Sequence, residues 1–124
     1  MQMAAFRTFE IEAIRWMAST FLSEEQIGLL RDMKEPCSYK YTGSGYFLSV
    51  RHPSLPVVSR TLSDPPVVGN VDEIQAGFVV FLRNGELTLE CHTWGAVEVP
   101  SDFRDRAVVI STPPVNFVDL SDAT

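Results

Sequence analysis

Basic side chains are scarce in the second half of this sequence: residues 63–124 hold three Lys/Arg against ten Asp/Glu. Nucleic-acid binding rests on Lys/Arg contacts to phosphate, so an acidic half without a basic cluster argues against a nucleic-acid partner. Cysteine occurs twice, as Cys37 and Cys91, in no C-x-x-C pair. That excludes a disulfide framework and fits two thiols in a reducing compartment. The two histidines, His52 and His92, are too few to suggest a zinc cluster, and no cofactor is implied. Long apolar runs are also missing. The longest uncharged stretch, Ala107 to Val118, contains Pro113-Pro114 and is too short to span a bilayer. The opening residues "MQMAAFRTFEIEAIRW" lack the basic head and apolar core of a signal peptide. The expectation is a cytoplasmic protein with no membrane partner.

What is present suits one domain over residues 1–124, with 45% hydrophobic and 21% charged residues. Residues 1–35 read as helical. Phe9, Ala13, Met17 and Phe21, with Ile14 and Ala18 beside them, recur at three- and four-residue spacing as one apolar stripe. A second helix starts at Ser23-Glu24-Glu25-Gln26, a capping box in which Ser23 accepts from the Gln26 amide and Gln26 reaches back. Leu22 and Ile27 occupy the hydrophobic-staple positions, and Pro36 ends the segment. From residue 37 to residue 112 the period is two, with Cys37, Tyr39 and Tyr41, then Tyr46, Leu48 and Val50, on one side. Gly43-Ser44-Gly45 between them reads as a bend or hairpin tip, because it lacks the length and the Lys-Ser/Thr of a phosphate loop. Val57–Leu62 and Arg106–Thr112 read as strands, Ser63–Glu73 as a turn-rich connection, and residues 113–124 as a loosely held tail.

The firmest local signal is Asn84-Gly85 between two strand-like runs, since a type I′ turn needs positive φ at both central residues. A two-residue turn sets Arg83 opposite Glu86 as an ion pair, Leu82 opposite Leu87, Val80 opposite Leu89 and Phe78 opposite Cys91. One face is then wholly apolar. The other carries Val79, Phe81, Thr88, Glu90, His92 and Trp94. The whole is an α+β domain, two N-terminal helices packed on a curved, mainly antiparallel sheet of about five strands.

Cys91 and His92 are adjacent on a strand and point to opposite faces, so they cannot form a thiolate–imidazole pair. Glu90 and His92 share a face and suit a recognition surface, to which Trp94 adds a large apolar body with one donor. Glu98 adds negative charge to the same acidic half. The candidate binding residues are therefore Glu90, His92, Trp94 and Glu98, facing a protein partner with a basic surface. No catalytic residue is assigned.

Two resemblances follow from these segments. Gly85 to Glu90 followed by Val99-Pro100 resembles a strand pair of the cupin barrels, although the His-x-His and Glu metal ligands of that family are missing. That likeness implies a small-molecule or metal binder, or an enzyme, using Glu90, His92 and Tyr39, Tyr41 or Tyr46. The wider layout of two helices, a sheet and the hairpin in "NGELTLECHTWG" is similar to immunity proteins encoded beside bacterial polymorphic toxins. It implies a non-enzymatic inhibitor that binds a toxin domain. A homodimer sealed through a sheet edge is a third possibility.

Overall fold

The computed structural model describes residues 4–93 and 97–112. They form helices α1 (Thr8–Ala18) and α2 (Glu24–Asp32), then strands β1 (Ser38–Tyr41), β2 (Gly45–Arg51), β3 (Ser59–Leu62), β4 (Val68–Val71), β5 (Ile74–Arg83) and β6 (Glu86–His92). A 3-10 turn, η1 (Phe103–Asp105), and strand β7 (Val109–Ser111) follow. The fold is α+β, and every strand pairing is antiparallel.

The helices form where the sequence indicates, and for those reasons. Ser23 accepts from the Gln26 amide at 3.1 Å and Gln26 accepts from the Ser23 amide at 2.8 Å, which satisfies two donors that the first turn of α2 leaves over. The staple residues Leu22 and Ile27 are both buried. In α1 the stripe of Phe9, Ala13, Ile14, Met17 and Ala18 faces the core, and Phe21 packs against its margin.

The sheet runs β1-β2-β6-β5-β4-β7, with β3 also paired to β5. Strand β5 is ten residues long, so one of its edges serves two partners: β4 along Ile74–Gly77 and β3 along Val80–Arg83. Asn84 (φ 49°) and Gly85 (φ 85°) make the β5–β6 turn in the left-handed region that a type I′ turn requires. The expected register holds at each pair, from Arg83 opposite Glu86 to Phe78 opposite Cys91. Strand β2 extends it into three inward rows: Tyr46, Cys91 and Phe78; Leu48, Leu89 and Val80; Val50, Leu87 and Leu82. All nine side chains are buried. At about 1.5–3 kcal/mol for each fully buried large apolar side chain, these rows are the main source of stability and fix the register against a one-residue slip. The helices cover this inner face, with the Phe9 ring 6.1 Å from that of Phe78 and 6.0 Å from that of Phe103.

Gly43-Ser44-Gly45 is the tip of the β1–β2 hairpin. Gly43 takes φ +92°, and the Thr42 amide bonds the Gly45 carbonyl at 2.9 Å. Gly45 is needed for another reason: a Cβ there would lie 1.7 Å from the Cys91 carbonyl oxygen.

Three expectations are corrected. The described sheet has seven strands rather than about five. The segment 63–73 is not only a turn-rich connection, because Val68–Val71 is strand β4 and turns at Asp72 (φ 55°) directly into β5. Its Gly-Asn centre and four-residue length hid the strand periodicity. Glu86 makes its ion pair with Arg51 of β2 at 3.5 Å, not with Arg83, since Arg51 also lies directly opposite it.

Candidate functional site

The buried apolar residues of the three described helical elements pack into the core on the inner side of the sheet, while Trp16 of α1 is exposed. The outer face carries the side chains that alternate with the core rows. Across β2, β6 and β5 these are Phe47, Glu90 and Val79; Ser49, Thr88 and Phe81; and Arg51, Glu86 and Arg83. Phe47 is 38% exposed, and Val79 and Phe81 are half-buried. The hydroxyls of Ser49 and Thr88 bond each other across the strands at 2.7 Å in the middle of the face.

Glu90 and His92 do share this face, as their two-residue spacing requires. Glu90 lies between Phe47 and Val79, and His92 lies between Gly45 and Gly77. Glycines therefore occupy the ladder positions on both sides of His92. Beside it is a hollow of about 290 Å³ lined by Ser63, Pro66, Val68, Gly77, Val79 and His92, among others. Glu98 is exposed but stands beyond the end of β6, in a segment tied to the β1–β2 tip by the bond from the Val99 amide to the Gly43 carbonyl at 2.9 Å. It belongs to the end of the sheet rather than to the strand face. Trp94 lies outside the described residues.

A charged centre that the sequence reading passed over sits on the other side of the sheet. Glu10 is fully buried, and its carboxylate receives the Arg104 guanidinium through two bonds, Nε at 2.7 Å and Nη2 at 2.9 Å. The Tyr46 hydroxyl also donates to Glu10, and so does the Arg7 backbone amide at 2.7 Å. Arg104 further bonds the Ala5 carbonyl at 2.8 Å and lies over the rings of Tyr39 and Tyr46, 5.2 and 5.5 Å from their centres. Burial opposes the charge on Arg104, but its hydrogen bonding and attraction to Glu10 outweigh this and hold the guanidinium above its ordinary pKa. Burial, then the negative charge of Glu10, raises Tyr46 well above the phenol range. Burial also pushes the Cys91 thiol up, with Glu10 and Glu90 adding to it, so Cys91 stays a neutral, unreactive thiol. Every oxygen of Glu10 is used within the fold. The centre pins α1, β2 and η1 together. One signal was available: Glu10 occupies a position of the apolar stripe, with Ala13, Ile14 and Met17 after it.

An open hollow of about 520 Å³ above this centre is lined by Arg7, Arg104 and Arg106, but their charges are matched internally. Arg7 pairs with Asp105 at 2.9 Å, and Arg106 pairs with Asp102 at 3.0 Å and Asp72 at 3.1 Å. Among the described residues no three His, Cys, Asp or Glu side chains are grouped to hold a metal ion, and no helix is long and apolar enough to cross a membrane. Compared with protein-family models, with curated proteins and with solved structures, the chain gives no match.

Proposed function

We propose that this protein is a non-enzymatic protein-binding module of the immunity type, and that it holds a partner with a basic surface on the helix-free face of its sheet. One observation carries the reading. The outer face sets Phe47, Val79 and Phe81, all at least partly exposed, around Glu90, His92 and Thr88, while the described helices cover the opposite face. Aromatic and branched apolar side chains on a rigid, hydrogen-bonded support are what an interface core needs. The acidic second half of the chain supplies the field that steers a cationic surface toward it. Cytoplasmic action fits two free thiols, Cys37 exposed and Cys91 buried.

The experiment is co-purification of the tagged protein from its native lysate, followed by kinetics with the purified partner. Glu90→Lys is expected to slow association at low salt, and Phe47→Ala to speed dissociation. Glu24→Lys, exposed in the first turn of α2, is expected to change neither. Unaltered kinetics in both face variants would remove this face as the site. A solution mass of twice the chain with no other protein bound would favour the homodimer instead.

A further inference from the structure

On the reading just given, we infer that the hollow beside His92 seats the partner's anchoring side chain, and that this anchor is an aromatic ring with a cationic group next to it. Three observations converge. The first is size: about 290 Å³ is at the small end for a ligand site and suits one ring better than a whole metabolite. The second is the wall. Pro66, Val67, Val68, Gly77 and Val79 present almost only apolar surface, and the Gln75 amide is engaged by Asn70 at 3.0 Å. Among the described lining residues, His92 is the one with an ionisable side chain.

The third observation is charge. Each lining residue has chain neighbours and ladder partners, and the charged residues among these are Glu90, opposite Val79, and Asp64, next to Ser63. Both are acidic. No Lys or Arg adjoins the hollow by chain or by strand pairing among the described residues. An apolar seat whose charged neighbours along the chain and the ladder are acidic favours a ring that carries an ammonium or guanidinium beside it. The same charges select against the chain's own last twelve residues. These begin two residues after Ser111, which pairs with Val68 at the hollow, but they hold Asp119 and Asp122 and no basic residue.

The test uses small probes, so it does not depend on isolating the partner. The full-length ¹⁵N-labelled protein is titrated with phenethylamine and, separately, with 3-phenylpropionate. Phenethylamine is expected to shift the amides of Val68, Gly77, Val79 and His92 saturably. It should bind roughly threefold more tightly than the anion at low salt, the size of one exposed charge interaction. Glu90→Gln combined with Asp64→Asn should remove that preference, and Val79→Phe should abolish both titrations by filling the seat. Gln75→Phe, an exposed wall position, serves the same purpose if Val79→Phe lowers the unfolding midpoint. Absence of shifts at millimolar probe, preference for the anion, or a preference that survives the paired Glu90→Gln and Asp64→Asn change overturns the proposal. So do shifts centred on residues 113–124, which would assign the seat to the chain's own tail. Slowed association by Glu90→Lys together with failed fragments would leave the binding face standing and remove only this anchor.

Discussion

Replacing Glu10 by Gln tests what holds the helical layer to the sheet. The substitution keeps shape and most hydrogen-bonding capacity but removes the negative charge opposite Arg104, whose side chain is only 13% exposed. Breaking one side of a buried ion pair costs about 3–5 kcal/mol, because the surviving charge stays desolvated without its counterpart. Arg104 retains the Ala5 carbonyl and two aromatic faces, which places the expected loss at the lower end, about 3 kcal/mol. Domains of this kind have about 5–15 kcal/mol in total, so such a loss is large and easily read. The assay is urea unfolding followed by circular dichroism, with a lowered midpoint at unchanged slope. The contrast is the triple variant Glu10→Leu, Tyr46→Phe, Arg104→Met, which removes the whole network and leaves no orphaned partner. It should lie within about 1 kcal/mol of the parent or above it, since well-packed apolar replacements of buried ion pairs are often neutral or stabilising. If Glu10→Gln costs less than about 1 kcal/mol, the pair behaves like an exposed one and the reasoning fails.

Alkaline stability follows from Cys91 and Tyr46, both raised in the fold by burial first and by Glu10 second. Their unfolded values are about 8.5 and about 10, so the folded state binds the extra protons above those pH values. Stability is therefore full below about pH 8.5 and falls as pH rises, by about 1.4 kcal/mol per pH unit for each group engaged. Cys91→Ala should flatten the first part of that decline, and a slope unchanged by the substitution would contradict the assignment. Thiol titration with an aromatic disulfide reagent should find Cys37 at once and Cys91 only in denaturant. Immediate reaction of both thiols, or of neither, would contradict the placement.

The sequence by itself determined those elements whose physics is local. The Ser23 to Gln26 cap, the α1 stripe and the Asn84-Gly85 turn each depend on neighbours within four residues, so their residues announced them. Once that turn was placed, the strict period of two assigned the faces of β5 and β6, including the common side of Glu90 and His92. Tertiary structure alone decided what depends on distant partners. Glu10 and Arg104 are 94 residues apart, and nothing in either segment states that one buried charge waits for the other. Glu86 had two possible arginines, and the choice of Arg51 came from β2 docking on the far side of β6. Strand β4 is too short to show a period and exists because β5 offers it an edge. The hollow beside His92 arises in the same way, between the segment before β4, the Gln75–Val79 part of β5 and His92 of β6. Its walls come from three separate stretches of chain that only the folded sheet brings together.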